Sequence, residues 1–255
     1  MSKEPAASGE AAPGSTQFPY PRRVFARRIL QVLSRTAFAV LTDLHMVGRE
    51  NLPSEGPLIV VANHFSFADP AAIVRIAPWP LDFLGGFQMP DAPAWALLIP
   101  KLWGIYAVRR GGASRRAIRA SLAVLRQKGV LGIFPEGGSW ADVLRPARPG
   151  TAYLAARTGV PLLPIGLDGL VDVFPSLRRG RRARVTIRIG KPFGPFHSNG
   201  RRPGRDELDE IGDEIMRHIA ALLPPERHGV YSTDPDVRRA AEEVAAWPFE
   251  DADGI

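Results

Sequence analysis

The chain has no cysteine, which excludes disulfides, a thiolate nucleophile and cysteine-based metal sites. It has no uncharged apolar run of about 18 residues, so no membrane-spanning helix is expected. Its first twenty residues lack the charged start and apolar core of a secretory signal. Its 5 histidines are scattered, with no H-E-x-x-H or similar spacing, so no metal is implied. Acidic residues are the scarcer charge: 33 lysines and arginines face 26 acids, a net +7. A basic balance suits anionic partners such as a membrane surface, a phosphorylated substrate or nucleic acid. Nucleic acid finds no aromatic platform or known module here and is not expected.

What is present is an alternation of apolar runs and helical patterns over most of the 255 residues. The apolar run Leu58-Ile59-Val60-Val61 predicts a strand, and a helix starts at Pro70. Further strands are expected at 105–108, 130–134, 162–166 and 185–189. Helices are expected from a cap at Ser114, near 150–158, over 205–223 and over 235–246. The 205–223 helix carries Leu208, Ile211, Ile215 and Ile219 on one side. The apolar, proline-interrupted stretch 91–103 is read mainly as core. Alternating strands and helices define an α/β fold with a largely parallel central sheet flanked by helices.

Two polar motifs follow strands. N-H-F-S-F-A-D-P at 63–70 follows the first, and F-P-E-G-G-S at 134–139 follows another. In open α/β folds, ligands gather at the carboxyl ends of strands. His64 there can move a proton near neutral pH, and Asp69 can fix its tautomer. Asp69-Pro70 also reads as a helix start with aspartate as N-cap, a role compatible with the first. Gly137-Gly138-Ser139-Trp140-Ala141 nearly matches the serine-hydrolase elbow G-x-S-x-G but lacks its last glycine.

Taken together, the motifs resemble those of the glycerolipid acyltransferase superfamily, whose familiar members are 1-acyl-sn-glycerol-3-phosphate acyltransferases. N-H-x-S-x-x-D is met by Asn63, His64, Ser66 and Asp69. G-x-x-x-x-x-R is met from Gly104 to Arg110, F-P-E-G by Phe134-Pro135-Glu136-Gly137, and V-P-x-x-P by Val160 to Pro164. G-R-E-N-L-P at 48–53 and G-K-P-F at 190–193 also fit. The resemblance implies a glycerol-3-phosphate acyltransferase-like fold and His64 as general base oriented by Asp69. It implies Arg110, Glu136 and Gly137 as acceptor-binding residues. The acyl donor would be a thioester of CoA or of acyl-carrier protein, with no cofactor, and the acceptor a lysophospholipid. One feature departs from the family: Gly138 and Ser139 stand where relatives commonly carry threonine and a phosphate-binding arginine. Arg145 and Arg148, a few residues on, either substitute for it or are solvated loop charges.

Residues 1–21, rich in Ala, Gly, Ser and Pro, are expected to be a disordered tail. Residues 22–44 form an amphipathic helix with Phe25, Ile29, Val32, Leu33 and Val40 on one face, Arg23 and Arg27 opposite, and Arg28 and Arg35 on the flank. Such a helix either lies in an anionic membrane interface or packs its apolar face on the domain. With the resemblance, the expectation is peripheral contact with the inner face of the membrane from the cytoplasm. The arginines of R-R-G-R-R-A-R at 178–184 would aid it, unless they are only a solvated hairpin. The acyltransferase domain would span 45–225, followed by a C-terminal extension, 226–255. An acyltransferase acting on another lipid hydroxyl, a serine hydrolase and a non-enzymatic basic lipid-binding protein are the alternatives.

Overall fold

The computed structural model describes residues 18–85, 98–107, 115–197 and 201–245. A seven-stranded sheet has the order β1-β7-β6-β2-β5-β3-β4. Its strands are β1 (Thr42–Val47), β2 (Leu58–Ala62), β3 (Leu81–Gly85), β4 (Tyr106–Ala107), β5 (Val130–Ile133), β6 (Leu162–Asp168) and β7 (Ala183–Ile189). Strands β6, β2, β5, β3 and β4 run parallel. β7 is antiparallel to β6, and β1 is parallel to β7. β2 lies at the centre and all five of its residues are buried, which is why it reads as an unbroken apolar run.

Because side chains alternate across a strand, β2 feeds two cores. Leu58, Val60 and Ala62 join a cluster with α2 (Asp69–Ile76), α6 (Val173–Arg178) and Phe38 of α1 (Val24–Leu41). Ile59 and Val61 join the other, with α4 (Arg115–Arg126), α5 (Pro149–Thr158) and α7 (Arg205–Ala220). α1 and α4 therefore cover opposite faces. α3 (Leu98–Trp103) contacts α1, and α8 (Pro235–Ala245) packs on the turn at Gly229–Tyr231.

Several expectations are corrected. The ordered domain begins before the helix: Phe18 is buried, and the Tyr20 hydroxyl donates to the Pro80 carbonyl and accepts from the Val130 N–H. Only residues 1–17 of the expected tail lie outside the described residues. The sheet starts at Thr42, inside the segment assigned to the helix. Strands β1 and β3 and helix α6 are additional elements. The arginine run is no hairpin, because it joins α6 to β7. Asp69 is the first residue of α2 and does not cap it. Its carboxylate turns back to accept the N–H groups of Phe65 and Ser66. Residues 91–97, Val108, the Ser114 cap and Arg110 lie outside the described residues.

α1 is turned opposite to an ordinary surface helix. Its inner face is polar: Arg27 pairs with buried Asp82, Gln31 donates to the carbonyls of Val74 and Ala77, and Ser34 donates to that of Ala71. Phe38 and, in part, Leu30 are buried with these groups, but most of its large apolar residues point out, Phe25 being 80% exposed, with Val24, Ile29, Val32, Leu33 and Val40 also exposed. Arg27 is thus unavailable to headgroups, and Arg23 donates to the carbonyls of Lys101 and Leu102.

Candidate active site

The loop leaving β2 is fixed from several directions. Asn63, fully buried, exchanges two hydrogen bonds with the Leu167 backbone, 2.8 and 2.7 Å, which ties the end of β2 to the end of β6. His64 follows. Its Nδ1 lies 2.9 Å from Oδ2 of Asp69, and its ring stacks on Phe134 at 4.2 Å between centroids. The N–H groups of Phe65 and Ser66 donate to the same carboxylate oxygen at 2.7 and 2.8 Å. Burial pushes the Asp69 carboxyl up, and the His64 contact and these two N–H groups oppose that shift. The His64 side chain keeps 17% of its surface open, whereas that of Asp69 keeps 1%. A base held by a buried carboxylate and open on its other side can accept a proton from a bound hydroxyl.

The turn after β5 brings up the second motif. Gly137 has φ 81, a conformation that favours glycine, and it is exposed beside buried Glu136. Glu136 Oε1 accepts the His64 backbone N–H at 2.7 Å. Its Oε2 accepts the Nε of Arg145 at 3.0 Å and the Arg145 backbone N–H at 3.3 Å. Burial raises the Glu136 carboxyl to about 7, against the pull of Arg145. Burial likewise lowers the Arg145 guanidinium, and Glu136 opposes it. Arg145 is 1% exposed, its Nη2 donates to the carbonyls of Gly138 and His64, and its guanidinium lies over the Trp140 ring at 3.6 Å.

The sequence suggests Arg145 as a substitute phosphate ligand or a solvated loop charge, and its burial excludes the second. Instead it links the two motif loops, and the signal was its place nine residues after a buried glutamate. Arg148 borders a cleft of about 180 Å³ with Glu136, Trp140, Arg145 and Ala245 of α8, and its N–H donates to the Pro135 carbonyl. Of the expected site residues, His64, Asp69 and Glu136 are joined by hydrogen bonds at the carboxyl edge of the sheet, Gly137 follows Glu136, and Arg148 lines the cleft beside Arg145, which His64 does not line. Arg110 lies outside the described residues. Ser139 has no hydrogen bond to a histidine among the described residues. The loop after it does not turn at once into a helix, as a nucleophile elbow requires. Among the described residues no group of three or more His, Asp or Glu could hold a metal.

A parallel α/β sheet with a histidine–aspartate pair and a buried glutamate at its carboxyl edge defines a class. Residues 43–168, just under half of the chain, match the sequence profile of the family described as Acyltransferase. A protein of Chlamydomonas reinhardtii named 1-acyl-sn-glycerol-3-phosphate acyltransferase is 27% identical over 225 residues, which cover 86% of this chain and 64% of that protein. A protein of the same name from Borreliella burgdorferi is 27% identical over 131 residues, 51% of this chain and 52% of that one. The chain thus spans about half to two thirds of the length of these relatives. The crystal structure of the 1-acyl-sn-glycerophosphate acyltransferase of Thermotoga maritima shares the fold. Its TM-score is 0.54 at 23% identity, covering 78% of this chain and 81% of that one.

Proposed function

We propose that this protein is an acyltransferase that moves a fatty acyl group from an acyl thioester to the hydroxyl of a lysophospholipid such as 1-acyl-sn-glycerol-3-phosphate, giving phosphatidic acid. The observation that carries this reading is the His64–Asp69 pair, 2.9 Å apart at the end of the central strand. The outward ring nitrogen of His64 takes the hydroxyl proton as the oxygen attacks the thioester carbonyl. Asp69 holds the Nδ1–H and stabilises the imidazolium. The tetrahedral intermediate collapses with cleavage of the C–S bond, and the leaving thiolate takes the proton back. No covalent enzyme intermediate is needed. The donor is a CoA or carrier-protein thioester. Arg148, with Arg110, meets the acceptor phosphate, while exposed Gly137 permits close approach of the backbone. Glu136, held by three protein donors, keeps the His64 loop in place.

The lysolipid is reached at a bilayer surface, with the protein bound peripherally on the inner face of the membrane. Among the described residues no helix is long and apolar enough to cross a membrane. Support for interfacial binding comes from the outward apolar face of α1, extended by exposed Leu98, Ile99 and Leu102 of α3. The exposed arginines 178, 179, 181 and 182 flank it, Arg182 donating to the Ala39 and Thr42 carbonyls at the end of α1. Phe174, itself exposed, stacks on Phe67 of the His64 loop at 5.4 Å between ring centroids.

Assay of acyl transfer from acyl-CoA to 1-acyl-sn-glycerol-3-phosphate, with and without His64→Ala, tests the chemistry. The substitution is expected to lower turnover about 10²–10⁴-fold with an unchanged circular dichroism spectrum. Near-normal turnover in the folded variant overturns the mechanism. Ser139→Ala is expected to retain most activity.

A further inference from the structure

Between Asp91 and Glu136 the sequence has no acidic residue, yet it carries eight lysines and arginines. Four of these, Arg115, Arg116, Arg119 and Arg126, lie exposed on α4, whose other side buries Ala117, Ala120, Val124 and Leu125. Among the described residues none of the four has an ion-pair partner. Helix stability argues against this arrangement. Cations in the first turn oppose the helix dipole, and Arg115 and Arg119 are a like-charge pair at i,i+4. α7, by contrast, pairs Arg205 with Asp209 and Arg217 with Asp213 across the same spacing.

The position of α4 narrows its partner. β4 and β5 both run parallel to β2, so the chain must return from the carboxyl edge of the sheet to its amino edge between them, and α4 is that return. Its first turn, with Arg115, Arg116 and Arg119, is therefore at the edge where His64 lies. α4 also covers the sheet face opposite α1. With α1 in the bilayer interface, α4 faces water, so lipid headgroups are not its partner. The row of arginines runs the whole helix, about 18 Å at 1.5 Å per residue, a span matched to a protein surface more than to a single phosphate.

We propose that the arginine face of α4 docks an acidic carrier protein that presents the acyl thioester to the carboxyl edge of the sheet. This rests on the acyl-transfer reading and names the donor's landing site. Charge complementarity of this kind acts mainly on encounter rate and on partner choice, and is weakened by salt.

The test uses the full chain and the double variant Arg115→Glu/Arg119→Glu. Transfer to one detergent-dispersed lysolipid is measured from acyl-carrier protein and from acyl-CoA, and binding of the carrier protein is measured separately by titration calorimetry. The carrier-protein KM is expected to rise about 10-fold or more, and the acyl-CoA KM by less than about threefold. Carrier binding by the wild type should weaken as salt rises, and Arg178→Glu/Arg181→Glu should leave it unchanged. Equal changes for both donors, an unchanged carrier KM, or a wild type that neither binds nor uses the carrier overturns the proposal. If neither donor supports turnover while the carrier still binds through α4, the docking surface stands and the acyl-transfer reading falls.

Discussion

Helices α1 and α7 have the same periodicity and opposite orientations. α7 buries Ile211, Ile215, Met216 and Ile219, and turns Arg205, Asp209, Asp213 and Arg217 to solvent. Asp206 and Glu207 in its first turn and Arg217 and His218 in its last complement the helix dipole. α1 has no acid in its first turn and no base in its last. It attaches to the domain through Arg27, Gln31 and Ser34, with Phe38 and Leu30 as its apolar contacts, and leaves most of its apolar side outside. An amphipathic pattern therefore specifies a helix with two faces but not which face meets the protein. In α7 the hydrophobic effect decides, whereas in α1 specific polar partners waiting on the domain decide. The clearest of these is Asp82, which is fully buried and is held by both Arg22 and Arg27.

The largest expected effect falls on that polar attachment. Asp82→Ala leaves two arginines without their counter-ion, one of them buried. Breaking a buried pair by removing one partner costs about 3–5 kcal/mol. Urea unfolding of the variant should show a loss of that size. A loss below about 1 kcal/mol would mean that α1 is held mainly by its few apolar contacts, such as Phe38, and the contrast with α7 would collapse. On α7 the matching change is Ile215→Ala, at a position with no exposure. Truncation there is expected to cost about 2–4 kcal/mol, read from the same unfolding curves.

A third effect concerns the other buried charge pair, Glu136 with Arg145. The Glu136 carboxyl lies at about 7 in the folded chain, against an ordinary value of 4.5. Between those values the folded state holds a proton that the unfolded state has released. Stability contributed by this group is thus greatest below pH 4.5, falls as pH rises to about 7, and is level above. The total change is up to about 3 kcal/mol. Comparing the pH dependence of unfolding in the wild type and in E136Q isolates it: the difference between the two should slope over that window and be flat above it. A difference that is flat over that window and instead falls as pH drops below about 4.5 would mean that Glu136 stays ionised in the folded chain, with Arg145 outweighing burial.

The parts of the fold legible in the sequence are those decided locally. β2 is an apolar run, and α4 and α7 show their period. His64 and Asp69 are five positions apart, so a strand end followed by a helix start brings them together. The parts not legible depend on partners far along the chain. β3 carries Asp82 as its second residue, which breaks an apolar pattern, and its neutralising arginines lie 55 and 60 residues away. β1 is half exposed along Thr42–Val47 and follows α1 without a loop, so no punctuation marks it. Arg145 could be named from its charge, but its part in joining the two motif loops depends on the Glu136 carboxylate being sealed from water. The apolar stripe of α1 was visible, whereas its outward direction required the position of Asp82.

The smallest expected effect on stability is also the one that most sharpens the comparison. Phe25 and Leu33 are 80% and 57% exposed, so replacing both with glutamate removes little apolar area from the folded core. Surface changes away from special contacts usually stay within about 0.5 kcal/mol. Unfolding of Phe25→Glu/Leu33→Glu should therefore be near wild type. Its binding to vesicles containing anionic lipid should fall sharply, because two apolar anchors are lost and two charges of the headgroups' own sign are gained. Sedimentation of the protein with such vesicles, with activity on detergent-dispersed substrate as control, reads both. Activity in detergent should persist. A variant that unfolds several kcal/mol more easily, with vesicle binding intact, would show that the outer face of α1 is covered by protein and that the bilayer contact lies elsewhere. A stable variant that has lost vesicle binding leaves α1 and α7 as one pattern used in two directions, inward to make a core and outward to meet lipid.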